Sequence, residues 1–326
     1  MKDEEVYKRL EQLVSQGVSS CLKNLSADVV GLCRSLGLKH QPTVEANLEK
    51  LWLPVALNIA SKRKELDRTL IQGILGSQGT GKTTLCIILR LILNYLGFSV
   101  ATLSIDDLYL TYAERQALQQ QDPRLIWRGP PGTHDVNLGL KIIEQCLTGN
   151  NSSKILMPRF DKSAFNGTGD RTKAEAVVKP DILLFEGWFV GVQPITEDCF
   201  NNPPAPILTS EDIQFAKDNN QRLKAYLPLW HKLDSLIVLY PEDYRLSKQW
   251  RKQAEQKMIA TGKTGMSDEE CDRFVEYFWK ALHPELFIKP LVKTADIVVE
   301  INSGDRSNKI NLLSRRKIGE LKHNRE

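Results

Sequence analysis

The sequence predicts an α/β domain: a parallel sheet with helices on both faces, preceded by a helical extension. Three observations predict it. Short β-rich runs alternate with helical patterns from Thr69 to Ile301. A glycine-rich loop joins the first run to an apolar helix. Two later runs end directly in acidic residues.

The elements follow in order. Residues 1–68 read as helical, with Leu48, Leu51, Leu53, Ala56, Leu57 and Ala60 near a 3.6 period between Val44 and Arg68. Thr69 to Leu75 is a strand pattern, and Thr84 to Leu96 a buried helix. Phe98 to Ile105 reads as a strand, Thr111 to Gln121 as a polar helix, and Val136 to Leu147 as a helix stopped by Gly149. Lys154 to Met157 and Asp181 to Phe185 are strands, and Ser210 to Trp230 a polar helix. Leu233 to Tyr240 is a strand, followed by a charged helix from Pro241 to Ala260. Ser267-Asp-Glu-Glu270 is a capping box opening a helix to about Leu282, and Ala295 to Ile301 is the last strand. The implied division is an extension over 1–68, a domain over 69–304 and a basic tail over 305–326.

Composition excludes several classes. Of 326 residues, 41% are hydrophobic and 26% charged, which argues against disorder and coiled coil. No apolar run approaches the ~18 residues of a membrane span. The segment MKDEEVYKRL is polar and acidic, unlike a secretory leader or transit peptide. The net charge of +4 resides in the tail from Asp305 to Glu326, and the body is neutral. Nucleic acid and membrane are therefore not expected as partners. Arg315, Arg316 and Lys317 fit a solvated terminus or contact with an acidic partner. Six cysteines with no C-x-x-C pair argue against zinc, and read as reduced thiols of a cytoplasmic protein.

The most specific motif is Gly76-Ser77-Gln78-Gly79-Thr80-Gly81-Lys82-Thr83, continued by Thr84. It fits G-x-x-x-x-G-K-[ST] at every fixed position, between a strand and a helix, and so predicts a P-loop NTPase-type sheet binding ATP. Backbone N–H groups and the helix N-terminus cradle phosphates, Lys82 reaches the β/γ-phosphates, and the Thr83 hydroxyl serves Mg²⁺. Gly262-Lys263-Thr264 repeats the triplet without the upstream glycine, and reads as a helix-ending turn. A magnesium-linked acid is expected at a strand end. Glu186, after four apolar residues, fits better than Glu300. Asp106 and Asp107 end the second strand on the same sheet edge, where one of them can accept a proton from an attacking hydroxyl. The same pair would also suit a helix N-cap or Asx-turn. The stretch from Arg128 to Arg171 collects Arg128, His134, Arg159, Lys162 and Arg171, donors suited to a small anion.

These blocks resemble the uridine kinase, phosphoribulokinase and pantothenate kinase group of P-loop kinases. Ser104-Ile-Asp-Asp-Leu-Tyr-Leu-Thr111, Arg128-Gly-Pro-Pro-Gly-Thr-His134-Asp135, Phe160-Asp161-Lys162-Ser163 with Gly169-Asp-Arg171, Glu186-Gly-Trp188 and Trp250-Arg251-x-x-Ala-Glu255 resemble more closely the plant and fungal D-glycerate 3-kinases. Leu108 replaces the usual Phe of the Ser104–Thr111 block. The resemblance covers about two thirds of the chain and leaves the extension and tail unexplained.

The resemblance implies Mg-ATP-dependent phosphorylation of the primary hydroxyl of D-glycerate, in photorespiratory recycling. It implies Asp106 as base and possible metal ligand, with Asp107 a weaker candidate. Glu186 would be the Mg²⁺-linked acid, and Arg251 would lie on a lid. The resemblance sets Asp135 on the substrate hydroxyls, and the residues themselves add Tyr109, Arg128, His134, Arg159, Asp161, Lys162 and Arg171 as candidates on the acceptor side. The alternatives are a kinase of another small hydroxylated metabolite and a switch-type ATPase. No N-K-x-D or T-K-x-D base-recognition motif favours the switch.

Overall fold

The computed structural model describes residues 18–302 and 308–311, apart from 39, 151, 261, 263 and 264. Residues 1–17 and, in the basic tail, all but Asn308–Asn311 lie outside the described residues. Of the second Gly-Lys-Thr triplet only Gly262 is described, with φ +84° just past a helix.

Strand β1 (Leu70–Gly76) is buried along its whole length because it is the middle of the sheet. With β2 (Val100–Ser104), β5 (Ile182–Gly187), β6 (Ser235–Pro241), β7 (Ile297–Ile301) and β8 (Asn308–Asn311) it forms the order β2-β5-β1-β6-β7-β8. All neighbours pair in parallel except β8, which runs antiparallel at the edge. Alternate residues of β1 face opposite layers. Leu70 and Ile74 pack with Leu25, Val29, Ile59 and Ile88 on one side. Ile71 and Leu75 pack with Ile142, Phe185, Phe189 and Tyr226 on the other.

The first layer is built by α1 (Val18–Ser35), α2 (Gln41–Asn47), α3 (Leu53–Lys64) and α4 (Lys82–Tyr95). The helical extension therefore shares a core with the helix that follows the phosphate loop. Lys62 reinforces this with a 2.5 Å ion pair to Asp296, and Arg63 with one of 3.1 Å to Asp181. The helix expected from Val44 starts at Gln41 and is interrupted by a π turn over Leu48–Trp52. Pro54 lacks an N–H, and its ring would crowd the carbonyl four residues back. The Leu53 N–H reaches Leu48 O instead, which opens the helix by one residue.

The second layer holds α5 (Tyr112–Gln121), α6 (Val136–Thr148) and α7 (Ser210–Leu223). The helix expected from Ser210 to Trp230 breaks after Leu223, and a short helix restarts at Leu227 with Pro228 in its first turn. Beyond β6, α8 (Leu246–Ala260) starts later than its sequence pattern, because Pro241 still belongs to the strand. Helix α9 (Asp268–Ala281) opens with the expected Ser267–Glu270 capping box.

One element departs from expectation. The strand at Lys154 runs on to Asp161 as β3 and pairs with β4 (Asp170–Val178) in a separate antiparallel sheet. Most of β4 is exposed, so it lacks the alternating apolar pattern that reveals a half-buried strand. Among the described residues no helix is long and apolar enough to cross a membrane.

Candidate active site

Parallel pairing aligns the strand ends. Glu186 of β5 stands opposite Ile74 of β1 and Ser104 of β2. The phosphate loop, Glu186 and the Asp106–Asp107 pair thus emerge at one sheet edge, the edge where open α/β sheets take ligands. The loop, Glu186 and Asp106 border a cleft of about 450 Å³, which Asp107 does not line.

The loop is held open by glycine. Gly79 has φ +79°, and a Cβ there would lie 2.5 Å from the Trp250 Cβ of α8. Gly81 has φ +88° and precedes α4, whose N-terminus faces the loop. Lys82 Nζ donates to the Ser77 carbonyl at 3.1 Å. Burial pushes its pKa down, against the opposing charges of Glu186 and Asp106. The Thr80 hydroxyl donates to the Ser77 carbonyl at 2.8 Å. Ser77 Oγ and Gln78 Oε1 are buried with no hydrogen-bond partner among the described residues. The Ser77 hydroxyl, a donor beside the backbone N–H groups of the loop, fits a bound anion, whereas the Gln78 oxygen can only accept.

Thr83 Oγ1 donates to Glu186 Oε1 at 3.0 Å. A hydroxyl, a carboxylate and the nearby Asp106 form a hard-oxygen donor set, which suits Mg²⁺ completed by phosphate and water.

The two aspartates separate. Both lie in a 3₁₀ turn (Ile105–Leu108) rather than on the strand. Asp107 caps this turn, accepting from the Ser104 N–H at 3.0 Å, and binds Arg159 at 3.1 Å. Burial raises its pKa in spite of these partners. Asp106 lines the cleft. Its carboxylate accepts from Tyr109 Oη at 2.9 Å and Lys162 Nζ at 2.6 Å. Burial opposes its ionisation, but the Lys162 charge and these hydrogen bonds prevail and lower its pKa.

The acceptor-side residues divide in the same way. Arg128, Lys162 and Tyr109 line the cleft. Arg128 donates to the carbonyls of Gly167 (2.7 Å) and Thr168 (3.0 Å) and lies over Phe160 at 5.5 Å. Arg159 is tied to Asp107 and Glu175, and borders a neighbouring cavity. Arg171 binds Asp135 at 3.0 Å and the Tyr109 carbonyl at 2.9 Å. Asp135 also caps α6 through the Leu138 N–H at 2.9 Å. Asp161 accepts from the N–H and hydroxyl of Ser163 in the β3–β4 turn.

His134 is 5% exposed, stacked on Tyr109 at 4.6 Å and 2.8 Å from Tyr226 Oη. It does not line the cleft, and burial drops its pKa to about 3. The sequence reading expected a substrate contact here, whereas this ring supports Tyr109 from below.

Arg251 borders the cleft from α8, over Phe274 at 4.8 Å and paired with the buried Glu255. Sequence reasoning missed part of the wall: Trp127, Met266, Phe274 and Phe278. Trp127 adjoins the Arg128 block and was within reach. The two phenylalanines sit on a helix whose capping box shows where it starts but not what it faces.

No family model matches the chain. Over 255 residues it is 34% identical to the chloroplastic D-glycerate 3-kinase of Arabidopsis thaliana, covering 74% of this chain and 54% of that protein. It thus spans about half the plant protein's length. Over 220 residues it is 34% identical to the uncharacterized kinase mug58 of Schizosaccharomyces pombe, covering 65% of this chain and 79% of that protein. The structure of D-glycerate 3-kinase from Cryptococcus neoformans var. grubii matches with a TM-score of 0.71 at 27% identity, over 80% of this chain and 99% of that one.

Proposed function

We propose a reaction for this chain from one premise: it belongs to the P-loop kinase family of D-glycerate 3-kinase and its yeast relatives. The reaction is transfer of the γ-phosphoryl group of ATP to the primary hydroxyl of D-glycerate, giving 3-phosphoglycerate. The observation that carries it is one cleft in which Asp106, Lys82, Glu186, Arg128 and Lys162 meet.

The phosphate loop holds the triphosphate, with Ser77 Oγ as an added donor. Thr83 and Glu186 would hold Mg²⁺, which would supply positive charge against the triphosphate. Lys82 and Arg251 donate to the oxygens on which charge develops. The acceptor hydroxyl attacks phosphorus, its proton passes to Asp106, and the bond to the ADP oxygen breaks. Tyr109 and Lys162 keep Asp106 ionised and aimed, which suits a loose transition state that asks more of positioning than of basicity. Arg128 and Lys162 receive the substrate carboxylate. Arg159 and Arg171 already have carboxylate partners and act as scaffold.

An ADP-release assay over D-glycerate, L-glycerate, glycerol, uridine and pantothenate tests the reading. D-Glycerate should lead. Two charge-assisted hydrogen bonds, about 1.5–3 kcal/mol each, favour it over glycerol by roughly 10²–10⁴ in kcat/KM. Equal turnover of glycerol or uridine would defeat the substrate assignment and leave the kinase chemistry standing.

A further inference from the structure

A second cavity, of about 570 Å³, lies on the other side of the phosphate loop. Gly79 lines both cavities, so the loop is their shared wall. The first opens over the β5 and β2 ends, through Glu186 and Ser104. The second opens over the β6 and β7 ends, through Leu239, Val299 and Ile301. Its floor includes Thr84, and its outer wall comes from the helical extension: Leu38, Val44 and Trp52, with His40, Thr43 and Asn47.

We infer that this cavity takes the nucleoside end of the nucleotide, and that the helical extension rather than the sheet reads the base, through Asn47. The inference rests on the phosphate-loop kinase reading. With the γ-phosphate directed at Asp106, the triphosphate crosses the loop and its nucleoside leaves on the β6–β7 side. The volume lies within the range of small-molecule sites, and a mostly apolar wall with a few polar groups is their usual chemistry. The polar groups are unequal. His40 and Thr43 bond each other at 2.7 Å and form the cap of α2. The half-buried Asn47 side chain makes no capping bond, and its amide presents a donor edge and an acceptor edge to a base. The π turn begins at the next residue, and two of its members, Leu51 and Trp52, line the cavity. Single π turns of this kind are frequent at functional sites.

Calorimetric titration of the full chain with ATP, UTP and inorganic tripolyphosphate tests this, because only the first two carry a nucleoside. Asn47→Trp, which fills the cavity from its rim, should weaken ATP more than about tenfold and leave tripolyphosphate within about twofold. Asn47→Ala should weaken ATP by about three- to tenfold, the size of one lost hydrogen bond, and narrow the preference for ATP over UTP. ATP should also slow amide exchange over residues 40–52 where tripolyphosphate does not. Wild-type protein that binds both ligands, with neither variant altered, overturns this inference alone. Wild-type protein that binds neither removes the kinase reading and this one together.

Discussion

The phosphate loop and the acceptor side of the cleft border one cavity but are built in opposite ways. The loop is a single run of nine residues, 76–84, whose chemistry is mostly backbone. The acceptor side draws on a 3₁₀ turn, the segment around Arg128, the β3–β4 turn and α8. Nearly every charge it carries is already paired: Asp106 with Lys162, Asp107 with Arg159, Asp135 with Arg171, and Arg251 with Glu255. Among the described residues the loop keeps one unpartnered side-chain donor, the Ser77 hydroxyl. On the acceptor side Lys162 must be shared between Asp106 and the substrate carboxylate when substrate arrives.

That contrast orders the expected effects. Asp106→Asn should have the largest, a loss of about 10²–10⁴ in kcat, because it removes the only one of the two aspartates that lines the cleft. Asp107→Asn should cost less turnover and more thermal stability, since it takes the charge from a turn cap and breaks an ion pair. Steady-state kinetics and melting curves on both variants decide, and the reverse ranking would move the base to Asp107.

Lys82→Ala should cost about 10²–10³ in kcat and leave the melting temperature nearly unchanged. Activity within about threefold of wild type would break the assignment of the loop. Arg128→Ala should raise KM for D-glycerate by about 10- to 100-fold and spare KM for ATP, because among the described residues Arg128 pairs with carbonyls and no carboxylate. Arg159→Ala should instead lower stability without a selective effect on glycerate. If the two arginines exchange behaviours, the division between scaffold and substrate cations is wrong.

The smallest effect concerns pH. His134 is held neutral to about pH 3 in the folded chain and takes a proton near 6.5 when unfolded. Between these values the unfolded state binds more protons, so stability is complete above pH 6.5 and declines as pH falls below it. The slope from this residue is at most about 1.4 kcal/mol per pH unit. His134→Gln should flatten that part of the curve, even if the variant is less stable overall. Denaturant titrations at pH 7, 6 and 5 would show it, and an unchanged slope would mean that His134 is not kept neutral.

The sequence was legible where chemistry is contiguous. The phosphate loop, Glu186 after its apolar strand and the Ser267 capping box can all be read within a few neighbours. The residues alone located Asp106 and Asp107 and only the resemblance ranked them, because the choice depends on a turn geometry and on Arg159 arriving from β3. His134 looked like a ligand beside Asp135, since nothing local shows that Tyr109 and Tyr226 enclose it. Exposed β4 escaped for lack of a buried face, and the π turn because it answers to the geometry around Pro54. The cavity against the extension was invisible for the same reason: its walls meet only in three dimensions.

The place of β1 has a consequence for the order of assembly. Leu70 pairs with Ile182 on one flank, and Gln72 with Ser235 on the other. Neither neighbour is close in sequence, so closing these pairs carries the entropic cost of long loops, which slows folding. The phosphate loop hangs from the end of this strand. During synthesis its motif leaves the ribosome early, yet its strand has no partner until the chain has grown past Ile182, and no second partner until past Ser235. A nascent chain therefore carries the complete motif for a long interval before it has the sheet that shapes it, and the phosphate loop takes its final shape only after β6 is made.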